Sequence, residues 1–394
     1  MPRVLRIINR FNLGGPAYNV AYLTKYLTPE YETLLIGGEK EPDEESSLFI
    51  FKEMGIEPLV LSEMNRSVNF LNDIKAYYRI KKIIKEFKPD IVHTHAAKAG
   101  ALGRLAAYNC KVPVIIHTFH GHVFHSYFGK IKTTVYKNIE RFLAKKTSAI
   151  IAISEKQKQE LCIDYKITSI NKTKVIPLGF NLSKFSENQE GKRKTFREQY
   201  QIEGDEICIV IIGRLVPVKN HPLFLKAIRF VKNNSTKKIR AFIVGDGNLR
   251  NDLAQLCDVL NLDYCYCPTE QKKTTITFTS WIQDVSYPLA ASDIVCLTSF
   301  NEGTPVSLIE AQAASKAIIT TKVGGIENSV NNSAAFLIDV EDEKSFFEKL
   351  LLLVQSKEIR YKMASCGKDF VFKHFHYTRL VADTKTLYNS LLNV

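Results

Sequence analysis

Residues 207–220 read ICIVIIGRLVPVKN, an apolar run followed by a glycine and a loop that contains Arg214 and Lys219. A helical pattern follows near 222–233, and a second apolar run begins at Arg240. Strand, turn, helix and strand in this order form a βαβ unit. Strands that are apolar throughout indicate a parallel sheet covered on both faces. The stretch therefore predicts a doubly wound α/β fold.

The beginning of the chain has the same arrangement. Residues 4–8 are an apolar run with an internal arginine, the segment NLGGP at 12–16 turns the chain, and a helical pattern precedes another strand at 32–37. Further apolar strands follow in both halves, at 90–95, 112–117, 149–154, 275–278, 294–298 and 317–321. Ligands of open α/β sheets bind beyond the carboxyl ends of the strands, so the polar residues after these strands are candidate site residues.

The domain organisation follows from length and from one charged segment. A chain of 394 residues is too long for a single hydrophobic core. Residues 184–203 are charged and poor in large aliphatic side chains, which is typical of a linker. We predict two Rossmann-like domains that face each other across a cleft, at 1–183 and 204–375. We expect the C-terminal helix, at about 376–394, to pack back on the first domain.

The composition, with 45% apolar and 24% charged residues, is that of a soluble globular protein. The N-terminus lacks the apolar core of a signal peptide, and no stretch reaches the ~18 apolar residues that span a bilayer. We therefore expect a cytoplasmic protein. A formal charge of +13 predicts a polyanionic partner: nucleic acid, an anionic membrane surface or a phosphorylated small molecule.

Two pairs of charged residues in the second half are candidates for a ligand site. Arg214, as a planar fork, and Lys219, as a point charge, suit a diphosphate. Two solvated basic residues on a loop are the alternative, and the loop alone does not decide between them. Glu302 and Glu310 can form a second part of the site. Alternatively, Glu302 is an acidic residue at the start of a helix and Glu310 is an acidic residue at the surface. The apolar residues around Glu310 disfavour a surface position.

The residues after Glu302 predict the start of a helix. Thr304 suits the N-cap and Pro305 the first helical position, so that Glu302 lies at the mouth of the helix. Glu310 then lies about two turns into the helix. Amides at the mouth, including those of Gly303 and Thr304, suit phosphate or sugar oxygens.

Together these motifs resemble the retaining glycosyltransferases of family 4, the group 1 glycosyltransferases, which have the GT-B fold. The resemblance rests on the E-x7-E spacing of Glu302 and Glu310 and on G-R-x4-K at 213–219. Gly324-Gly325-Ile326, after the next strand, is the third motif. Pro305 departs from the pattern, because many members have glycine there and proline has no backbone N–H to donate a hydrogen bond.

The resemblance implies a role for each of these residues. Arg214 and Lys219 would bind the diphosphate of a nucleotide-sugar donor. Glu302 would contact the transferred sugar as a catalytic residue, and Glu310 would bond the ribose hydroxyls. The backbone near Ile282 would hold the base. The remaining donor-binding residues implied are Gly15, Gly303 and Thr304.

Two features of the first half complete the implied site. Gly14 and Gly15 open a helix after the first strand, where the resemblance places donor phosphates and the acceptor. In the histidine-rich segment 117–125, His120 matches a family histidine that reaches the donor sugar. The resemblance thus implies that His120 is a catalytic residue on the acceptor side. Zinc is the alternative ligand, but no carboxylate or cysteine lies within the segment. We interpret His93 and His95 as supporting or core residues.

No metal or other cofactor is expected. The chain has no D-x-D motif, so no evident carboxylate pair holds a divalent ion on the diphosphate. Arg214, Lys219 and helix-mouth amides would then stabilise the leaving group. The resemblance also implies retention through same-face attack, in which the leaving phosphate helps to deprotonate the acceptor. A UDP-sugar is the first choice of donor, and the sugar, acceptor and linkage stay open.

The positive charge is concentrated in two predicted amphipathic helices. Residues 72–88 and 128–146 interleave apolar and basic side chains, a pattern that suits an anionic membrane surface. Ordinary surface helices with solvated lysines explain the pattern equally well. The membrane interpretation implies peripheral attachment at the inner face of the membrane and a lipid-linked acceptor.

A retaining glycosyltransferase of polysaccharide biosynthesis, acting on a glycan or lipid-linked acceptor, is the favoured function. A nucleotide-sugar 2-epimerase shares the architecture and is the alternative; it would form an epimerised sugar nucleotide without any acceptor. Nucleic-acid binding is not expected, because it rests on charge alone, without a binding module or an aromatic stacking platform.

Overall fold

The structure is a computed structural model that describes residues 1–42, 44–64, 69–120, 130–267 and 272–392, without the side chains of 130–132. It divides into two compact units. Met1–Phe180 and Phe375–Val394 form the first unit, and Asn181–His374 form the second. Each unit contains one seven-stranded parallel sheet, as the apolar strands of the sequence predicted.

The first unit alternates strands and helices along the chain. Its strands are β1 (Arg3–Arg10), β2 (Glu32–Gly38), β3 (Leu59–Leu61), β4 (Ile91–His95), β5 (Val114–Phe119), β6 (Ala149–Ala152) and β7 (Thr173–Val175). Its helices are α1 (Gly15–Tyr26), α2 (Leu48–Glu53), α3 (Phe70–Phe87), α4 (Ala97–Asn109), α5 (Lys130–Lys145) and α6 (Glu155–Gln159). The strand order in space is β3-β2-β1-β4-β5-β6-β7.

Strand β1 shows why the strands of this sheet have apolar residues on both faces. Leu5 and Ile7 pack in a core cluster with residues of α3 and α4, and Val4 packs on the opposite face with residues of α1. The winding reverses between β1 and β4, which are neighbours in the sheet although two strands separate them along the chain. Such a reversal leaves a crevice at the carboxyl ends of the two strands, where ligands of this architecture bind.

The second unit repeats the design. It begins with helices α7 (Ser183–Ser186) and α8 (Gln189–Gln199). Its strands are β8 (Ile207–Ile212), β9 (Ile239–Val244), β10 (Tyr264–Tyr266), β11 (Ile276–Ser280), β12 (Ile294–Leu297), β13 (Ala317–Thr321) and β14 (Ala335–Ile338). The helices after β8 are α9 (His221–Asn234), α10 (Arg250–Val259), α11 (Ser286–Ala291), α12 (Val306–Ala313), α13 (Ile326–Ser329), α14 (Glu343–Gln355) and α15 (Lys357–Phe375).

The order of this second sheet is β10-β11-β9-β8-β12-β13-β14. Ile209 and Ile211 of β8 pack in one core cluster, and Cys208 and Val210 pack in another. The winding reverses between β8 and β12. The loops after these two strands contain the charged motifs that the sequence indicated.

Residues 184–203, predicted to be a linker, are instead folded within the second unit as most of α7 and α8. Phe196 packs with Phe242 in a core cluster. Arg193 pairs with Asp293 at 2.9 Å and also donates to the backbone carbonyls that end α11. The linker prediction was wrong because aromatic and arginine side chains make the contacts that large aliphatic residues make elsewhere.

The C-terminal helix α16 (Tyr377–Leu392) belongs to the first unit. Its residue Tyr388 is fully buried and packs in the cluster that contains Val4 and Leu23. Within the described residues, no helix combines the length and the hydrophobicity that crossing a bilayer would need.

Helix α3 uses much of its apolar surface inside the protein. Ile80, Ile83 and Ile84 are buried against the sheet, while Ile74 and Tyr78 are exposed. The apolar pattern in 72–88 that suggested a membrane surface is therefore in large part a core pattern. Of the segment 128–146, residues 128 and 129 lie outside the described residues.

Candidate functional site

The loops that follow β8 and β12 are tied together by hydrogen bonds to backbone carbonyls. The Thr298 hydroxyl donates to the carbonyl of Lys219 at 2.9 Å, and the Phe300 amide donates to the carbonyl of Val218 at 2.8 Å. Arg214 lies on the same loop as Lys219 and is exposed. Two basic side chains therefore follow β8 at the point where the winding of the sheet reverses.

Lys219 and Glu302 form an ion pair between these loops. Lys219 Nζ lies 2.5 Å from Glu302 Oε1, and the hydroxyl of Ser299 donates to the same oxygen at 2.6 Å. The Glu302 side chain is only 9% exposed and that of Lys219 is 23% exposed. Because water is partly excluded here, charges interact more strongly than on an open surface.

The backbone of Glu302 is held by the glycine pair after β13. The Gly325 amide donates to the Glu302 carbonyl at 2.9 Å. Gly324 has a φ of +57°, and a Cβ at this position would lie 2.0 Å from the Glu302 carbonyl oxygen. Only glycine accepts both the left-handed backbone and this close approach. The Gly324-Gly325 motif thus has a physical reason, which is to position the loop that contains Glu302.

Helix α12 begins one residue later than the sequence predicted. Pro305, with φ −77° and ψ 86°, is the N-cap residue, and its carbonyl accepts the amide of Leu308 at 3.1 Å. The assignment of Thr304 as N-cap was wrong, because the proline ring restricts φ but leaves ψ free to be extended. Gly303 is exposed and Thr304 is part-exposed, and both precede the helix.

Glu310 lies on α12, and burial raises the pKa of its carboxyl to about 7. Nearby Lys184 opposes this shift, and Asp284 adds to it. Nζ of Lys184 lies 3.7 Å from Oδ1 of Asp284. Near neutral pH the Glu310 carboxyl is therefore present in both forms, of which the protonated one donates and the ionised one only accepts hydrogen bonds. Both forms suit an interaction with hydroxyl groups.

Ile282 lies on the loop after β11. Its side chain packs partly buried against the cluster that contains Phe196, whereas the neighbouring Trp281 is about half-exposed. Asp284 accepts the amide of Ser286 at 3.0 Å and so shapes the end of the loop. The Ile282 side chain is thus used in packing, which leaves backbone groups and the Trp281 ring available to a ligand.

Residues 245–247, Gly-Asp-Gly, were not predicted from the sequence but adjoin the loop after β8. Gly245 has a φ of +137°, and a Cβ there would lie 2.1 Å from the carbonyl oxygen of Gly213. Asp246 accepts the hydroxyl of Ser280 at 2.8 Å. The available signal was two glycines around an aspartate directly after an apolar strand. Ser299, which bonds Glu302, had no comparable signal.

In the first unit, Gly14 and Gly15 lie between β1 and α1. Gly14 is the extended N-cap residue, and Gly15 is the first residue of the helix. The nearest atom to a Cβ on Gly14 would be Cδ of Pro16 at 3.7 Å, so crowding does not require glycine here.

Four histidines gather at β4 and β5, and all are close to the buried Arg6 of β1 or to one another. His93 Nδ1 lies 3.1 Å and His95 Nε2 3.5 Å from Arg6 Nη1, and His95 Nδ1 lies 3.0 Å from His120 Nε2. His117 is the fourth histidine, and its Nδ1 lies 2.8 Å from Oγ1 of Thr94.

Burial is the main cause that lowers the pKa of each histidine in this group, to about 4 for His120. These imidazoles are therefore neutral at physiological pH. In the part of the chain that the structure describes, no group of histidine, cysteine or acidic residues is arranged to hold a metal ion. Residues 121–125 of the predicted histidine-rich segment lie outside the described residues.

The predicted residues thus fall into separate groups. The second unit brings one set to the loops after β8 and β12: Arg214, Lys219, Glu302, Gly303 and Thr304. Glu310 and Ile282 lie further along, on α12 and after β11. The first unit contains Gly14, Gly15 and His120 at the ends of β1 and β5.

Two family models match the chain, one in each half. Residues 13–184 match the model described as Glycosyltransferase Family 4. Residues 192–370 match the model described as Glycosyl transferases group 1.

Curated relatives match over most of their length. A UDP-Gal:alpha-D-GlcNAc-diphosphoundecaprenol alpha-1,3-galactosyltransferase of Escherichia coli is 32% identical over 326 residues, which are 82% of this chain and 81% of the relative. A GalNAc-alpha-(1->4)-GalNAc-alpha-(1->3)-diNAcBac-PP-undecaprenol alpha-1,4-N-acetyl-D-galactosaminyltransferase of Campylobacter jejuni is 22% identical over 396 residues, which are 98% of this chain and 99% of the relative.

Solved structures share the fold over nearly the whole chain. HepE of Anabaena, in complex with UDP, superimposes with a TM-score of 0.81 at 16% identity and covers 98% of this chain and 100% of its own. A glycosyltransferase of Rickettsia africae superimposes with a TM-score of 0.78 at 20% identity, with coverages of 99% and 98%.

Proposed function

The chain belongs to the group 1 glycosyltransferases and has the GT-B fold, and from this premise we propose a retaining, metal-independent transfer to a lipid-linked acceptor. The proposed reaction moves a sugar from a UDP-sugar to an acceptor hydroxyl. The observation that carries the proposal is the shielded Lys219–Glu302 ion pair at the reversal of strand order, with Arg214 on the same loop.

The second unit is the proposed donor-binding domain. Arg214 and Lys219 bind the diphosphate. The ammonium of Lys219 has three N–H donors, so it can keep its bond to Glu302 and also bond a phosphate oxygen. Glu302 faces the transferred sugar and stabilises the positive charge that develops on it. Glu310 bonds the ribose hydroxyls.

The rest of the proposed site consists of backbone groups and first-unit residues. The amides of Gly303 and Thr304 bond phosphate or sugar oxygens, and the backbone at Ile282 holds the base. Gly14, Gly15 and His120 form the acceptor side in the first unit, with Gly15 also near the donor phosphates.

The two cations support the metal-independent step. As the sugar–phosphate bond breaks, negative charge grows on the diphosphate, and fixed positive groups stabilise it without reorganisation. Arg214 and Lys219 supply two such charges. Retention rests on family membership: the acceptor attacks on the face that the diphosphate leaves, and the departing phosphate accepts the acceptor's proton.

The names of relatives support the choice of substrates. The Escherichia coli relative is named for UDP-Gal and a diphosphoundecaprenol acceptor, and the Campylobacter jejuni relative is also named for an undecaprenol-linked acceptor. We extend this to a UDP-sugar donor and a polyprenyl diphosphate-linked sugar acceptor. The reported relatives are named as glycosyltransferases, so nothing favours the epimerase alternative.

A transfer assay tests the proposed reaction. The purified chain is incubated with α-linked UDP-hexoses and a lipid diphosphate-linked GlcNAc, and the product is examined by proton NMR. We expect transfer with an α-configured new bond and an unchanged rate in EDTA. A β-configured product would contradict retention, and inhibition by EDTA that manganese or magnesium reverses would contradict metal independence. An epimerised sugar nucleotide formed without acceptor would replace the proposal by the alternative.

The acceptor proposal also includes a membrane-facing surface on the first unit. Helix α5 exposes a stripe of Val135, Ile139 and Phe142, which also forms an apolar groove with residues of α4. Helix α3 exposes Phe70, which is 77% accessible, together with Leu71, Ile74 and Tyr78. Among the described side chains, α3 has five basic and two acidic ones, and α5 has three basic and one acidic. Apolar side chains among lysines and arginines suit an anionic bilayer.

Flotation with liposomes tests this surface. We expect the chain to bind vesicles with anionic lipids at low salt, and the double variant Val135→Asp/Ile139→Asp to lose most of this binding, because charge on the apolar stripe opposes insertion. Tyr361→Asp, at an exposed aromatic residue of α15, is the matched control. Equal flotation of wild type and double variant would show that α5 does not contact the membrane.

A further inference from the structure

Arg6 has an environment that the proposed reaction does not explain. It lies within β1 and is fully buried, and within the described residues no carboxylate forms an ion pair with it. Its Nη1 contacts ring nitrogens of His93 and His95, whereas Nε and Nη2 have no hydrogen-bond partner in the described part of the chain. A buried guanidinium stays charged, so it needs acceptors. Here the acceptors are two imidazoles and the hydroxyl of Tyr388.

The contacts of His93 determine where its proton lies. Arginine has only donors, so His93 Nδ1, 3.1 Å from Arg6 Nη1, must be unprotonated. The hydroxyl of Tyr388 lies 2.6 Å from the same nitrogen and can donate to it as well. A neutral imidazole has one proton, which is therefore on Nε2 and is donated to Thr118 Oγ1 at 2.7 Å.

The same reasoning applied to His95 reaches His120. His95 Nε2 faces Arg6 Nη1 at 3.5 Å and is the acceptor, so the proton of His95 is on Nδ1. That N–H points at His120 Nε2, 3.0 Å away, which must then accept. The proton of His120 is consequently on Nδ1. This atom is buried and has no hydrogen-bond partner within the described residues.

The other charged and titratable groups around His95 and His120 support the neutral form of both imidazoles. Burial is the largest cause that lowers the pKa of His95, and His93, His120 and Arg6 add to it. The groups that face the cluster from the neighbouring elements are Arg6 on β1, His93 on β4, His117 on β5, Arg104 on α4, Glu140 on α5 and Tyr388 on α16. Glu140 is already paired with Arg104 at 2.6 Å.

We propose that Arg6 is a positioning residue, which acts through His95 to hold His120 as a neutral imidazole with its proton on Nδ1. His120 then donates a hydrogen bond to a hydroxyl oxygen of a bound sugar. The inference rests on the proposed function for the identity of that ligand, but the tautomer itself follows from the contacts of the free protein.

This arrangement also excludes one chemical role for His120. A general base needs a free lone pair, and the only lone pair in the ring plane of His120 is on Nε2, where it accepts from His95. His120 therefore orients the sugar and does not remove the proton of the acceptor hydroxyl. This agrees with the same-face reaction proposed above, in which the leaving phosphate accepts that proton.

Nitrogen NMR of the wild-type chain labelled with 15N-histidine tests the tautomer directly, without donor or acceptor. A His120→Gln variant identifies the signals of His120. At pH 7.5 we expect a protonated Nδ1 and an unprotonated Nε2 for His120, and the same spectrum at pH 6. A proton on Nε2, or a doubly protonated ring at pH 6, would overturn the inference. Absence of any transfer activity would count against the proposed function alone, since the tautomer is measured independently.

Substitution of Arg6 tests its action through His95. Arg6→Met should leave His95 and His120 as mixtures of tautomers and lower kcat about 10-fold, on the order of the contribution of one hydrogen bond to the sugar. Arg6→Lys should keep the Nδ1-protonated His120, because an ammonium is also a donor without acceptor sites. Arg3→Met, on the same strand but exposed, is the control. If His120 keeps the wild-type tautomer in Arg6→Met, Arg6 does not act on His120 through His95. If this variant does not fold, the spectrum of the wild-type protein still determines the tautomer of His120.

Discussion

Glu302→Gln is expected to lower kcat by a factor on the order of 100 to 1000 while UDP still binds. The glutamine has the size of the glutamate and can keep a contact with Ser299, which bonds Glu302 at 2.6 Å in the free protein. It lacks the negative charge that would stabilise the positive charge developing on the sugar during transfer. The loss should therefore fall on kcat and leave the affinity for UDP nearly unchanged, which steady-state kinetics and calorimetric titration measure separately.

Glu343→Gln is the matched control for this experiment. Glu343 also pairs with a lysine of the second unit, Lys226, at 2.9 Å, but both side chains are more than two-fifths exposed. Such a pair contributes little to stability. We expect unchanged kinetics from the control. Near-normal kcat in Glu302→Gln would remove Glu302 from the proposed catalytic residues.

Gly324→Ala is expected to reduce activity at least about 100-fold, although residue 324 itself has no proposed contact with substrate. A Cβ at this position would lie 2.0 Å from the carbonyl oxygen of Glu302, and the φ of +57° disfavours alanine. The loop of Glu302 must therefore move, and the Lys219–Glu302 pair moves with it. Transfer assays and thermal unfolding measure both effects.

Gly204→Ala is the control for the added methyl group, because an added Cβ there would meet nothing within 4 Å. We expect this variant to keep full activity. If Gly324→Ala also keeps full activity with an unchanged melting temperature, the loop of Glu302 tolerates displacement, and the proposed role of the glycine pair is incorrect.

The α/β architecture could be predicted because buried parallel strands are nearly continuous apolar runs. Ile207–Ile212 shows this in six residues that supply two core clusters, one on each face. The prediction for 184–203 failed for the complementary reason. Phe196 and Arg193 attach that segment to the sheet through specific contacts, and no apolar periodicity records such contacts.

Residues of the candidate site could be named from the sequence where residue type and spacing are informative, and their roles stay predictions. Glu302, Lys219 and Gly324 lie in motifs. In the structure, Lys219 and Glu302 form an ion pair, and the backbone of Gly324 closely approaches that of Glu302. The start of α12 was not predictable to the residue, since the ring of Pro305 is compatible with either ψ. Which apolar residues of α3 meet the sheet was also not predictable, because an amphipathic pattern alone does not distinguish them.

By itself, the sequence determined the class of fold, the family resemblance and the positions of the charged motifs at Arg214, Lys219, Glu302 and Glu310, because short-range patterns encode strands, turns and motif spacing. Only the tertiary structure decided that 184–203 is part of the second unit, that Ser299 bonds Glu302, and that Arg6 faces His93 and His95. The physical reason is distance along the chain. Arg6 and His95 are 89 residues apart, and only the pairing of β1 with β4 makes them neighbours.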